Sequence, residues 1–442
     1  MSTPSPSSDR LRPGFLDAWQ RLVGPRGVPT LPRRRGRKPR VPLTALLAAL
    51  TFHVMQGPGS LAEHFLQLAG EPLADSSWAD RRARVPWEIF AELMRRVLRP
   101  RATRRQRDAF WHGWRLLALD GTQFSLTNTP QVLATTVKAR TRRGRAAFAK
   151  LTTAVLLEVG LHNPLAAAIG RRGQSEWALA LSLLAQLPRR ALVLGDRLYG
   201  CPAFADALQA ACARVGSHFL VRVRANITTQ GRSRLPDGSR LVRVAVRAPQ
   251  RPAVVRHWLE VREIRVQVAR PGRRAHTLRL WTSLRDVPSA PALALAELYT
   301  QRWEHELYFR EIKRTLRRTD LLQSHTVETA AQEVAAIVLA SALLATERLR
   351  VAAGHVPVRR VSFAKLLALV QPMWLLLDLG AGLLSEHQTA QMIKRGYARL
   401  KQCLTPPRRP RTCPRAVRQP MTAWPRVLQP ESVEGPFEYH VL

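Results

Sequence analysis

Acidic residues are scarce in this chain, with 31 Asp and Glu against 70 Lys and Arg, so those that close apolar runs are conspicuous. Leu116 to Leu119 leads into Asp120-Gly121-Thr122, and Ala191 to Gly195 leads into Asp196-Arg197. Each run reads as a buried strand ending on a carboxylate. Neighbouring parallel strands lie about 4.8 Å apart. Two carboxylates at adjacent strand ends therefore oppose one another, and without a cation one of them must take up a proton. A pair of hard divalent ions about 3.5–4 Å apart resolves that conflict and creates a site for phosphoryl transfer. Either Asp alone is better read as a turn cap; the two together point to metal.

A third acid comes from the stretch Leu293 to Leu316, whose periodicity predicts one continuous helix. At 3.6 residues per turn, Tyr299, Arg302, Glu306, Arg310 and Lys313 fall within an arc of about 80°. One carboxylate ringed by a phenol and three cations suits a metal ligand beside a bound phosphate backbone, although a salt-bridged surface helix has the same spacing. The rival acids Glu304 and Glu311 lie about 120–140° round from Tyr299, so they are expected to take no part in the chemistry.

These residues carry a resemblance. Tyr299-x2-Arg302-x3-Glu306-x6-Lys313 matches the Y-(2)-R-(3)-E-(6)-K signature of the insertion-sequence-four family of bacterial DDE transposases, within the similar wording Leu298-Tyr299-Thr300-Gln301-Arg302-Trp303-Glu304-His305-Glu306-Leu307. Asp120-Gly121-Thr122 resembles that family's first acidic motif, and Leu194-Gly195-Asp196-Arg197-Leu198-Tyr199 its second, with Leu198 where the family usually has Gly. The resemblance covers about residues 40–350. It implies a cut-and-paste transposase in which Asp120, Asp196 and Glu306 bind two Mg²⁺, with Mn²⁺ as a substitute. It also implies that Tyr299, Arg302 and Lys313 hold phosphates near the cleaved end. The expected partner is double-stranded DNA, both transposon ends and target, engaged by a homodimer in a synaptic complex. Family members commonly form a hairpin at the transposon end with one base flipped onto an aromatic, for which Trp258 and Trp281 are the candidates. A non-catalytic DNA-binding relative and a nuclease that cuts without joining are the alternatives.

The elements that must position these groups follow from pattern. Residues 111–223 read as β-β-β-α-β-α-β, the order of a ribonuclease H-like α/β domain, with strands at 115–122, 123–126 and 148–159 before the first helix. Residues 224–290 form short β-branched runs between Gly and Pro turns and read as an all-β insertion. Residues 291–350 return to the core with the Glu-bearing helix, and 351–442 form a helical C-terminal region with a Pro/Arg-rich tail. Residues 1–110 read as a loose basic arm and then a helical DNA-binding region, in which Ser60 caps the helix starting at Leu61. Within the arm, Arg35-Gly36-Arg37 between prolines has a shape that fits a minor groove, or equally a solvated linker.

Composition bounds the rest. The 442 residues fit two or three domains, and 46% hydrophobic residues are enough for a core. A formal charge of +39 points to a polyanionic partner. No clean apolar stretch of about 20 residues is visible, the best being Leu366 to Leu384, and the N-terminus lacks the apolar centre of a signal peptide. The four cysteines lack metal or disulfide spacing and read as free thiols. The expectation is a bacterial, cytoplasmic, nucleoid-associated protein with no membrane partner.

Overall fold

The structure is a computed structural model that describes residues 14–25, 27–30, 41–141, 144–248, 250–270, 273–317, 319–352, 356–406 and 438–441. In chain order the principal helices are α1 (Phe15–Val23), α2 (Leu43–His53), α3 (Leu61–Ala69), α4 (Asp75–Ala83) and α5 (Trp87–Val97). Strands β1 (Trp114–Ser125), β2 (Lys150–Glu158) and β3 (Asn163–Ile169) precede α6 (Glu176–Leu183), β4 (Ala191–Gly200), α7 (Pro202–Arg214) and β5 (His218–Val223). Then come β6 (Gln230–Arg234), β7 (Arg240–Ala248), β8 (Arg251–Arg270) and β9 (Arg273–Thr282). The chain continues with α8 (Ala292–Tyr299), α9 (Trp303–Arg310), α10 (Val327–Ala352), α11 (Phe363–Leu379), α12 (Glu386–Lys401) and β10 (Glu438–Val441). The architecture is mixed α/β.

Two compact units divide the chain. The first spans Met1–Trp111, Arg115–Gln186 and Glu304–Thr405. Its strands form the antiparallel meander β1-β2-β3, in which Asp120 lies opposite Val155. Helices α1 to α5 share one core with α10, through Phe15, Leu46, Phe90 and Leu93 on one side and Val334, Ile337 and Val338 on the other. The capping box at Ser60 is present: its Oγ accepts from Glu63 N at 3.2 Å, while Glu63 Oε2 accepts from Ser60 N at 2.6 Å. The second unit spans His112–Trp114, Leu187–Trp303 and Pro406–Leu442. Its strand order is β4-β5-β9-β8-β7-β6, with β4 and β5 parallel, the rest antiparallel, and β10 added to β8.

Several boundaries differ from the sequence reading. The expected strands at 115–122 and 123–126 are one strand, β1, so Asp120 sits in mid-strand and Gly121 makes no turn. Strand β4 likewise runs on past Asp196 to Gly200. In both, the unbroken apolar run stops at the Asp while the strand continues through half-buried and exposed positions, and Phe124 and Tyr199 further along are buried again. Strand β3 (NPLAAAI) was missed, since Ala and Pro have low strand propensity. Helix α1 falls in the stretch read as a loose arm, yet it buries Phe15, Trp19 and Leu22. The expected continuous helix from Leu293 to Leu316 is α8, a 3-10 turn at Thr300–Arg302, α9 and a π-helical turn at Glu311–Leu316. A uniform helical wheel therefore does not carry across the whole stretch.

Among the described residues one helix, α10, is long and apolar enough to cross a membrane, which the sequence reading did not single out; the apolar window of that helix is 89% buried in the protein. Its polar residues Gln332, Glu333, Glu347 and Arg348 are buried too, so it reads as a core helix. Cys201, Cys212 and Cys403 are free thiols, and Cys413 lies outside the described residues, as do Arg35 and Arg37.

Candidate active site

In the first unit, the half-buried Asp120 accepts the Gly121 backbone N–H at 2.9 Å through Oδ1. Strand alternation puts Thr122 and Phe124 on the same face as Asp120. Lys313 reaches that face, donating to Thr122 Oγ1 at 3.1 Å and standing 5.5 Å from the Phe124 ring centroid. Burial, followed by the nearby charges of Arg317, Lys150 and Arg314, lowers the pKa of the Lys313 ammonium. A phosphate brought beside that cation relieves both effects. Glu306 lies half-buried on α9, and Arg310 at the end of that helix is exposed. A further acid, Glu176 at the start of α6, lies over Gly121; a Cβ at that glycine would sit 2.3 Å from the Glu176 side chain. Sequence spacing gave no sign of it.

In the second unit, Asp196 Oδ1 accepts the Leu198 N–H at 2.7 Å. The pairing of β4 with β5 slips here: Gly195 is opposite Val221, and Gly200 is opposite Val223, so Asp196 to Tyr199 bulge out of the ladder. Leu198 needs no left-handed backbone, so a Gly is not required at that position. The constraint falls on Gly200, where a Cβ would lie 1.8 Å from the Arg222 carbonyl oxygen. Tyr299 is buried, and its phenol pKa is pushed up to about 12, chiefly by that burial. Arg302 and Arg222 oppose the rise and Asp196 adds to it, so these four groups share one local field. The phenol therefore stays neutral and serves as a hydrogen-bond donor at any working pH. Arg222, on β5, is a cation of this group that sequence reading did not find.

Glu304 and Glu311 are the rival acids of this stretch. They are not free surface acids, however. Glu304 is 4% exposed and bonded to His162 Nε2 at 2.9 Å and Arg359 Nη1 at 3.0 Å. Glu311 meets His162 Nδ1 at 2.8 Å and Arg348 Nη1 at 3.2 Å. Both are committed to buried ion pairs, and neither is available as a metal ligand. Of the two tryptophans, Trp281 is fully buried and donates its indole N–H to Glu263 Oε2 at 3.0 Å, which removes it as a stacking platform. Trp258 is 38% exposed, with the Arg243 guanidinium 5.5 Å from its ring centroid.

Residues 111–343 match the family described as Transposase DDE domain, which spans more than half of the chain. The chain belongs to the DDE transposases. It is 29% identical over 316 residues to the transposase InsG for insertion sequence element IS4 of Escherichia coli K12, covering 70% of this chain and 69% of that protein. It is 32% identical over 128 residues to the putative transposase InsZ of the same organism, covering 29% of this chain and 43% of that protein. A cryo-EM structure of a piggyBac transposase synaptic complex with hairpin DNA is similar at 10% identity and a TM-score of 0.45, over 89% of this chain and 83% of that one. That likeness is too distant to bear on fold or chemistry. The function of this transposase is DNA transposition, and the divalent-metal chemistry of its family applies to it.

The donor set fits such an ion. Among the described residues no group of three or more His, Cys, Asp or Glu forms a ready cage. Mg²⁺ does not need one: it keeps several waters and is held by one or two carboxylates together with substrate phosphates. Asp120, Asp196 and Glu306 offer only hard oxygen donors, and Asp120 and Asp196 are each orientated by a backbone N–H.

Proposed function

We propose that Asp120, Asp196 and Glu306 act together in a ribonuclease H-like active site that cleaves DNA at transposon ends and transfers the freed strand. The observation that carries this reading is that two of the acids keep phosphate-binding groups in their own surroundings. Lys313 is bonded two residues along the Asp120 strand, and Tyr299 and Arg302 share a field with Asp196. The three carboxylates would hold two Mg²⁺, or Mn²⁺ in substitution; when bound, these supply Lewis-acid activation of the scissile phosphate and of the attacking hydroxyl. The Tyr299 phenol donates to a phosphate oxygen, Arg302 offers a two-pronged contact, and Lys313 provides a compact charge. Arg310, exposed at the end of α9, extends the grip along the backbone. Arg35 and Arg37 enter a minor groove beside the end sequence. Trp258 offers the stacking face for a displaced base. The working form is a homodimer on double-stranded DNA, in a bacterial cytoplasm and associated with the nucleoid.

The test is substitution with charge removed and shape kept. Glu306→Gln, Asp120→Asn and Asp196→Asn should each bind end DNA as the parent does while metal-dependent nicking falls by about 10² or more. Nicking at parental rate in any one of them removes that residue from the site. A strand-transfer assay on the parent separates a transposase that joins from a nuclease that only cuts.

A further inference from the structure

We propose that His162 is a positioning residue for the transposition reaction: a buried clamp that fixes the rotation of α9 and, with it, the Glu306 carboxylate relative to the Asp120 strand. The inference rests on the reading of Glu306 as a metal ligand. His162 lies in the turn joining β2 to β3, with φ of 53°, a left-handed conformation uncommon outside glycine, in which His, Asn and Asp are the residues most often found. It is 3% exposed. Its two ring nitrogens face two carboxylates, Glu304 at 2.9 Å and Glu311 at 2.8 Å. These acids mark the ends of the segment that matters: Glu304 is in the first turn of α9, Glu311 opens the π-helical turn, and Glu306 lies between them.

An imidazole can donate to both acids only when both nitrogens carry protons. Charges then alternate along one buried chain: Arg359, Glu304, His162, Glu311, Arg348. Arg348 is anchored in turn on the Val361 carbonyl at 2.8 Å, and Arg359 reaches Asp108 at 3.4 Å. Without His162 the buried Glu304 carboxylate and the half-buried Glu311 carboxylate face one another across the gap it leaves. The clamp also has a fixed base. Its hairpin is β2-β3, and β2 pairs with β1 so that Asp120 lies opposite Val155. His162 thereby ties the Glu306 helix to the sheet that carries Asp120.

Precision explains the need. A helix that passes into a π-helical turn has lost the regular hydrogen bonds that hold its phase. Rotating α9 by about 20° would carry a side-chain head about 6 Å from the axis through about 2 Å. Metal–oxygen ligation tolerates deviations of only about 0.2 Å.

The test uses the full chain with end DNA. His162→Ala should raise both the Mg²⁺ concentration for half-maximal nicking and the Mn²⁺ dissociation constant of the protein–DNA complex, read by electron paramagnetic resonance, by about 10- to 100-fold. DNA affinity should stay within about twofold, because no phosphate-binding group is touched. His162→Gln, which keeps N–H donors, should recover part of the metal affinity. Leu22→Ala, a core change in α1, should lower the melting temperature without shifting the metal dependence. Unshifted metal dependence in folded His162→Ala, or an equal shift in Leu22→Ala, overturns the clamp. Should His162→Ala fail to fold, an unshifted His162→Gln overturns it equally. Glu306→Gln is measured alongside. If it loses Mn²⁺ while His162→Ala keeps it, only the clamp fails; if it binds Mn²⁺ and nicks like the parent, the ligand reading itself fails.

Discussion

Each of Glu304 and Glu311 is held by two basic groups, with His162 common to both. Breaking a buried pair from one side leaves an uncompensated charge, a loss of about 3–5 kcal/mol. Glu304→Gln and Glu311→Gln should therefore lower the melting temperature by many degrees, whereas the half-buried Glu306→Gln leaves it nearly unchanged. Thermal melts of the three variants decide the matter, and equal melting temperatures would remove the buried network from the account. Neither acid can serve as a silent control for activity. The same cluster fixes the pH response. Burial alone would lower the His162 pKa, but the Glu311 charge and the hydrogen bonds that the ring donates to Glu304 and Glu311 outweigh it and raise the pKa. Burial would raise Glu311, but Arg348 and His162 hold it below the ordinary value. A raised His pKa gives stability that is full below the unfolded value of about 6.5 and is lost as pH climbs through the folded value. A lowered Glu pKa gives stability present above about 4.5 and lost as pH falls through the folded value. Melts from about pH 2 to about pH 9 should show both limbs in the parent and lose the alkaline limb in His162→Ala. The wheel drawn from sequence gave these two acids no partners at all. It could not find their partner, because His162 lies 142 residues from Glu304.

At the level of elements, the β insertion was legible because β-branched runs between Gly and Pro turns have few other uses. Its interior was not. Trp258 and Trp281 are alike in sequence terms, yet one is exposed on β8 and the other is buried on β9 with its N–H on Glu263. Strand alternation and register decide that difference, and register is a long-range property. The two should part on substitution. Trp281→Ala should cost about 3–5 kcal/mol of stability, the range for emptying a large aromatic site. Trp258→Ala should be close to neutral in a melt and weaken binding to an end with an unpaired base by about 1–3 kcal/mol. Fluorescence melts and titrations with paired and unpaired ends measure both. No binding loss with Trp258→Ala would leave the sheet without a stacking face. The signature stretch shows the converse limit. Its four residues were identified by spacing, but a 3-10 turn and a π-helical turn break the helix that the spacing assumed.

For the whole molecule, charge predicts how the protein holds DNA, and the core predicts how that can be tested. Each phosphate neutralised releases counterions, so log affinity should fall linearly with log salt, by about 0.9 per phosphate contact. With +39 to distribute, a slope corresponding to at least about six contacts is expected. Removing residues 1–110 to locate the end reader would mislead. Helices α1 to α5 share their core with α10, and Arg82 on α4 donates to Gln332 on α10 at 3.1 Å while Gln332 returns to the Arg82 and Val85 carbonyls, both at 3.2 Å. Truncation would open that core and abolish every DNA-binding mode at once. The arm itself is the better target, because substituting Arg35 and Arg37 leaves every helix of that shared core in place. The double substitution Arg35→Ala, Arg37→Ala should leave the melting temperature unchanged and reduce the salt slope by up to about 1.8, the value for two phosphates. If the arm reads a minor groove, preference for the transposon end over random duplex should shrink more than affinity for random duplex does. Equal losses on both DNAs would make the arm a general cation, and end recognition would then have to come from the helices behind it.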